Sequence, residues 1–407
     1  MSLVHHLSLR PAAANDAGSA GANASLADTR RLWVERLQLS NFRNYTQVSL
    51  GVGPAPVVLC GANGAGKTNL LEALSLLSSG QGLRRAPYPE LAGWAGGAWA
   101  VWSRLQTRSG SVELGTGLAG EADGAGRSGR IVRIDGAPQP TTALDEHVEM
   151  LWLTPALDGL FAGPASERRR FLDRLVACFD PGYRGRLGKF ERAMQQRNRL
   201  LAEQVGDAAR FAAFERTMAE TGVAIAAARA ALVAELAGAI AARRRCGHAA
   251  FPWAELAVTG WLETALATRP AVDVEDDYCR LLASERERDR AAGRTREGPH
   301  RTELMVGHGD KEMPAKICST GEQKALLIGL ILAHADLVRQ HHDGAAPLLL
   351  LDEITAHLDA ARRLALFDEI IGLGCQAWMT GTDAAAFAGL AQRAQFLRVE
   401  DGRVSFA

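Results

Sequence analysis

Eight consecutive residues, Gly61-Ala62-Asn63-Gly64-Ala65-Gly66-Lys67-Thr68, have the types and order of a phosphate cradle. Gly61, Gly66, Lys67 and Thr68 satisfy the spacing Gly-x4-Gly-Lys-Thr. Glycines let backbone N–H groups turn inward around the phosphates. Lys67 brings charge to the β and γ phosphates, and Thr68 offers a hydroxyl to Mg²⁺. A helix that begins here points its positive end at the same anion. A second segment, Pro347-Leu348-Leu349-Leu350-Leu351-Asp352-Glu353, runs four leucines into two carboxylates. Asp352 suits a magnesium ion held through water, and Glu353 suits a group that polarises an attacking water. Many buried strands end in an aspartate. Beside a phosphate cradle, however, this one supplies the second half of a nucleotide-hydrolysing site.

A third segment, Ser319-Thr320-Gly321-Glu322-Gln323-Lys324, opens a helical pattern that continues over Ala325 to Leu337. Serine and glycine at a helix start can receive an anion. The same residues also read as an ordinary N-cap, with Ser319 and Glu322 forming a capping box. The position just ahead of the Asp-Glu strand decides between them, because the order of the three segments resembles that of ABC-type ATPases. There the signature motif faces the ATP of a second subunit. The resemblance thus implies that Ser319 and Gly321 contact nucleotide bound by another copy. Thr355-Ala356-His357-Leu358-Asp359 stands where those proteins place their D-loop, although Ala356-His357 replaces the small-acidic pair expected there. Thr320 also departs from the small residue usual in the signature, and Leu151-Trp152-Leu153-Thr154 ends without a Q-loop glutamine.

Elements must hold these segments in place. Leu32 to Leu39 alternates as a strand, and Val57-Val58-Leu59-Cys60 is a short apolar run expected of a strand buried on both faces. Asn69 to Leu77 has helical period, so strand, loop and helix follow in the order a P-loop needs. From Trp99 to about Asp135 the pattern is one of short alternating strands, including Ser111–Gly115 and Arg130–Ile134, separated by glycine turns at 119–120 and 123–126. Residues from about 165 to 250 are strongly helical, with Leu187, Phe190, Met194 and Leu201 on one face and an alanine-rich stretch from Ala224 to Ala242. The fold expected is α/β: an ABC-type P-loop ATPase head with an antiparallel β subdomain and a short helical arm lobe. Its divisions are a disordered extension over 1–30, head over 31–160, arm over 161–290 and head again over 291–407.

Composition sets limits. The 407 residues include 46 basic and 46 acidic ones, so the chain as a whole is no electrostatic magnet for nucleic acid or membrane. Any DNA surface must come from local segregation of charge. Only five of the basic residues are lysines, but so strong an arginine bias also follows from a GC-rich coding sequence. The six cysteines are scattered without a CxxC pair, as expected of reduced thiols. No run approaches the ~18 to 20 apolar residues of a membrane span. These features lead us to expect a soluble cytoplasmic protein with no membrane partner.

Thr68 and Ser319 are 251 positions apart. This exceeds the compact insert of a transporter subunit and falls far short of an SMC coiled coil. The residues between resemble the RecF family of bacterial recombination mediators. Leu39-Ser40-Asn41-Phe42-Arg43-Asn44-Tyr45 is similar to the family's opening strand, and Gly163-Pro164-Ala165-Ser166-Glu167-Arg168-Arg169-Arg170-Phe171-Leu172-Asp173 to its basic segment. Gln196-Arg197-Asn198-Arg199-Leu200-Leu201 is similar to its arm helix, and Thr295-Arg296-Glu297-Gly298-Pro299-His300-Arg301 to the block before the signature. Thr380-Gly381-Thr382-Asp383 lacks a switch histidine in a RecF-like way. The resemblance implies ATP and Mg²⁺ as ligands, with Arg43 among the nucleotide contacts and Thr68 and Asp352 serving the metal. It implies an ATP-dependent homodimer that closes on DNA at gaps and single-strand/double-strand junctions, with slow hydrolysis through Glu353 as the release step. RecR and RecO are the implied partners, in RecA loading and the SOS response. Some of the arginines in these blocks are expected to touch DNA phosphates; a solvated helix face is the alternative for Arg168–Arg170.

Overall fold

The computed structural model describes residues 31–94, 96–118, 129–204, 207–247 and 250–407. The extension expected to be disordered and the glycine turns at 119–126 lie outside them. The chain forms two compact units, one from residues up to Pro155 together with Val338–Ala407, the other from Ala156–Leu337.

The first unit contains two six-stranded sheets. In the antiparallel sheet, β1 (Trp33–Phe42) pairs with β2 (Tyr45–Gly51) on one side. On its other side lies β4 (Trp99–Thr107), followed by β5 (Gly110–Leu118), β6 (Ile131–Ile134) and β7 (Ala137–Gln139). Alternation in β1 puts Val34, Leu37, Leu39 and Phe42 into the core, with a register shift between Val34 and Arg36. β3 (Val57–Cys60) belongs to the second sheet. There it lies between the later strands β14 (Gln395–Glu400) and β13 (Ala377–Gly381) and runs parallel to both. Neighbours on both sides explain why Val57, Val58 and Leu59 are all fully buried. Beyond β13 come β12 (Leu348–Leu351) and β8 (Met150–Leu153), again parallel, and β15 (Arg403–Phe406) closes the opposite edge antiparallel to β14. α1 (Lys67–Ser75) follows β3, and α9 (Ala360–Leu373) joins β12 to β13. The buried amide of Gln376 ties the two sheets. Its Oε1 accepts from the Val34 N–H at 2.9 Å, and its Nε2 donates to the Val34 and Gly53 carbonyls at 3.1 and 2.7 Å.

The second unit is mainly helical: α2 (Ala165–Val176), α3 (Tyr183–Ala202), α4 (Ala208–Arg245), α5 (Trp261–Leu266), α6 (Ala271–Ser284) and α7 (Arg286–Ala292). A small antiparallel sheet of β9 (Ala254–Thr259), β10 (Glu303–His308) and β11 (Met313–Pro314) leads to α8 (Thr320–His341). The signature segment thus belongs to this unit, whose C-terminal boundary falls within α8, later than the residue 291 drawn from sequence. β10 pairs all along with β9, which brings the segment before the signature into the same compact body as the arm helices.

Two buried arginines organise the helical unit. Arg197, fully buried on α3, donates to Glu215, Asp289, Thr295 and the Leu282 carbonyl at 2.7–3.1 Å. Arg229, 2% exposed on α4, donates to both Asp173 oxygens, the Tyr183 hydroxyl, Thr302 and the Pro299 carbonyl. Partners on several elements let charges stay buried that would otherwise be costly. α4 also exceeds the membrane-span expectation drawn from sequence. One 18-residue window reaches a mean hydropathy of 1.8, by length and composition enough to cross a membrane. Val223, Ile225, Leu232, Val233, Leu236 and Ile240, all buried, supply most of that value, and the helix carries Glu215 and Arg229 in ion pairs of the unit's core.

Candidate nucleotide site

The glycine loop runs from the end of β3 into α1. Gly64 and Gly66 take positive φ values of 82° and 113°, the left-handed region that favours glycine. Gly61 is constrained by space instead, because a Cβ there would sit 2.2 Å from the Val399 carbonyl oxygen. Neighbouring side chains fix the loop from outside: Tyr45 donates to the Gly66 carbonyl at 2.9 Å and Asn44 to that of Ala65 at 3.1 Å. Lys67 curls back to donate to the Gly61 and Ala62 carbonyls at 2.7 and 2.9 Å, which closes the cradle around its ammonium group. Burial lowers the Lys67 pKa, and Glu353 and Asp352 act against that shift.

β12 delivers the two carboxylates one strand away from the loop's own neighbour β13. Asp352, 7% exposed, accepts from the Thr68 hydroxyl at 2.9 and 3.1 Å. Its Oδ1 also accepts from the Thr380 hydroxyl at 2.8 Å, while the Thr380 oxygen in turn accepts from the Glu353 N–H at 2.8 Å. Glu353 lies at the exposed end of the strand with a positive φ of 48°. Thr68, Asp352, Thr380 and Glu353 thus form one hydrogen-bonded set. The sequence reading missed Thr380. Its one signal in the sequence is its place at the end of an apolar strand, in the segment that lacks the switch histidine. Among the described residues no group of three or more His, Cys, Asp or Glu gathers to hold a metal. The hydroxyl of Thr68 and the carboxylate of Asp352 are the hard oxygen donors that Mg²⁺ takes alongside nucleotide phosphates, and they fit that ion.

Arg43 turns elsewhere. Its guanidinium grips both oxygens of the buried Glu72 on α1 at 2.9 Å and donates to the Glu90 carbonyl at 2.9 Å. In the other unit, Ser319 and Glu322 make the capping box. The Ser319 N–H donates to Glu322 at 2.9 Å and the Glu322 N–H to the Ser319 hydroxyl at 3.4 Å. A contact from Lys311, together with the Ser319 bonds, holds the Glu322 pKa down at about 2. Ser319 and Thr320 are exposed and nothing crowds Gly321. Asp359 of the D-loop segment caps α9 by accepting from the Arg362 N–H at 2.8 Å.

The arginine blocks divide: Arg197 is buried, Arg168 and Arg169 are half-buried, and Arg170, Arg199, Arg296 and Arg301 are exposed. Arg168 pairs with Glu303 at 2.6 Å and donates to the Phe161 carbonyl, and Arg169 donates to the Thr302 carbonyl at 2.9 Å. Arg170 pairs with Glu167 one turn away. His300 is half-buried and stacks on Phe190, the ring centroids 5.8 Å apart, and desolvation lowers its pKa. Arg168 and Arg169 thus tie α2 to the segment around Thr302 and Glu303.

A buried parallel sheet, a glycine loop entering a helix and an Asp-Glu strand in register with them define an α/β P-loop ATPase head of the ABC type. Residues 36–103 match the AAA domain family. A protein of Mesorhizobium japonicum called DNA replication and repair protein RecF is 53% identical over 373 residues, covering 91% of this chain and 97% of the relative. A Rhizobium etli protein of the same name is 52% identical over 375 residues, covering 91% and 98%. The chain belongs to the RecF family of DNA replication and repair proteins. Its fold is also that of solved structures of the recombination mediator protein RecF-ATPrS and RecF-ATP in the RecFOR pathway. They match at TM-scores of 0.79 and 0.77 with 20% identity, covering 93% of this chain and 98–99% of theirs. An Smc head domain from Pyrococcus furiosus follows at 0.52 with 15% identity, covering 92% of this chain and 96% of that one.

Proposed function

We propose that this chain is an ATP-driven DNA clamp of recombinational repair, in which two copies close head to head over two ATP molecules and open on hydrolysis. The observation that carries the catalytic part is the set Thr68–Asp352–Thr380–Glu353. It holds an exposed carboxylate at a fixed place beside a buried one, within reach of the loop that carries Lys67. Gly61 to Thr68 bind the triphosphate through backbone N–H groups, and Lys67 leaves the loop carbonyls for the β and γ phosphates. Mg²⁺, when bound by Thr68 and Asp352, neutralises charge that develops on the phosphates. Glu353 orients the attacking water and takes its proton. Thr380 keeps Asp352 and the Glu353 backbone in register during that step. Arg43 reaches the nucleotide if phosphate displaces Glu72 as its partner. The exposed Ser319 and the half-buried Gly321 of one copy contact the γ-phosphate of the other, so ATP binding is linked to dimer formation.

DNA is held at gaps and single-strand/double-strand junctions chiefly through phosphates, which makes binding salt-dependent. Hydrolysis is slow and DNA-stimulated. The names of the relatives support the repair role, and partners of the RecR and RecO kind, acting with this chain in RecA loading and the SOS response inside the cell, fit it. The decisive measurement is phosphate release with gapped, duplex and single-stranded DNA, alongside light scattering with ATP. Lys67→Met is expected to abolish the ATP-dependent dimer; an unchanged dimer would sink the clamp reading.

A further inference from the structure

The P-loop helix carries two polar side chains one turn apart on one face, Asn69 and Glu72. Glu72 is almost wholly buried yet meets two arginines. Arg43 takes both of its oxygens, and Arg84 approaches one of them at 3.3 Å. One guanidinium neutralises a buried carboxylate, so the second leaves surplus positive charge where Arg84 meets solvent, its side chain 44% exposed. Arg84 is also the outer end of a side-chain relay. It donates to Asn69 Oδ1 at 2.6 Å, Asn69 Nδ2 donates to Asn44 Oδ1 at 2.8 Å, and Asn44 Nδ2 donates to the Ala65 carbonyl of the glycine loop. Three side chains thus lead from the surface to the backbone next to Gly66 and Lys67.

The surroundings indicate what Arg84 meets. Arg85 beside it is exposed, has a positive φ of 58° and makes no hydrogen bond or ion pair among the described residues. The stretch that follows is pinned to the same anchor. The Arg43 N–H donates to the Leu91 carbonyl, Arg43 Nη1 to that of Glu90, and the Gly93 N–H to that of Asn41. This stretch displays Trp94 with its side chain fully in solvent. The Glu90 side chain is the exposed acidic group of the stretch. Two cations with a bare indole match a single-stranded nucleic acid, whose phosphates sit on guanidinium groups and whose bases stack on aromatic faces.

We propose that Arg84, Arg85 and Trp94 dock a single-stranded nucleic-acid segment, and that Arg84 transmits its arrival to the P-loop through Asn69 and Asn44. This deepens the DNA-binding reading above and rests on it. A phosphate that engages Arg84 draws the guanidinium away from Asn69 and Glu72. Asn69 and Asn44 then re-pair, and the Ala65 carbonyl loses its fixed donor.

The test uses the full chain with a fluorescent gapped duplex and a single-stranded oligonucleotide. Anisotropy is read with a non-hydrolysable ATP analogue, and phosphate release is read with and without DNA. Arg84→Ala is expected to weaken gapped-DNA binding about tenfold and to remove the DNA response of ATP turnover. Arg84→Lys keeps the charge but not the fork, so affinity returns while the response stays lost. Asn69→Ala leaves DNA affinity within about twofold and also loses the response. Trp94→Ala weakens single-stranded but not duplex binding. Thermal melting of each variant separates these effects from misfolding, with Arg84→Lys and Trp94→Ala as the least disruptive. DNA affinity unchanged in Arg84→Ala and Trp94→Ala overturns the proposal, and a lost ATP-dependent dimer in those variants would assign the surface to a second copy instead. Absence of DNA binding by the unaltered chain would remove this proposal and the repair reading together, whereas normal binding with silent variants removes this proposal alone.

Discussion

The two units handle buried charge in opposite ways. Around Arg197 and Arg229 every strong donor meets an oxygen from the same unit, and the side chains are closed off from water. Around Lys67 and Asp352 the hydrogen-bond partners are uncharged: an ammonium group rests on two loop carbonyls, and a carboxylate accepts from two hydroxyls. Glu353 stands exposed beside them. Residue types alone would not separate a structural ion cluster from a working site. What separates them is whether a better partner could still enter.

The strongest way to break this contrast is Arg197→Ala. It leaves Asp289 in the core without its guanidinium partner, while Glu215 keeps Arg286, and a loss of ~3–5 kcal/mol in urea unfolding is expected; a shift under ~1 kcal/mol would place the cluster among dispensable contacts. Glu353→Gln comes next. At an exposed position it is expected to leave ATP binding intact while phosphate release falls at least ~100-fold, the usual range for a lost general base. Turnover equal to the unaltered chain would take the catalytic role from Glu353.

A third prediction concerns His334, fully buried with its Nε2 at the Leu175 carbonyl and its ring against Phe179. Burial pushes its pKa down to about 3, the nearby Arg174 adding to the effect. Because the folded value lies below that of the unfolded chain, the stability it confers is present above about pH 6.5 and is lost progressively as pH falls toward 3. A decline of up to ~2 kcal/mol between pH 6.5 and 5 is expected, and His334→Gln should flatten it in urea melts at several pH values. The smallest effect expected is that of Ser319→Ala, ~1 kcal/mol through the lost cap. Ser319→Arg sharpens it: ATP binding by one copy persists in equilibrium dialysis while the dimer fails to form. Loss of nucleotide binding itself would mean that the segment acts within its own chain.

Much of the site was legible because it is local. The strand, glycine loop and helix over Val57–Ser75 and the leucines before Asp352 carry their own geometry, and the structure places both segments in one parallel sheet. Thr380 was not legible, since its role arises only when β13 lies beside β12. Among the arginine blocks, the buried place of Arg197 was harder to read. A clue lay in their period, because Arg197 falls on the same helix face as Phe190, Ala193 and Leu200, all buried. A long cation at a core position reads as an internal ion pair once that periodicity is counted.

The placement of β3 has a consequence for the newly made chain. Both of its neighbours come from the last stretch of sequence, and the Gln376 amide that braces β1 joins residues 342 positions apart. The glycine loop is therefore synthesised well before the strands on either side of it, and has no sheet to stand on until β13 and β14 emerge. Contacts of such long range form late and slowly. A nascent chain that has passed the loop but not yet β14 carries a nucleotide motif without a complete nucleotide site.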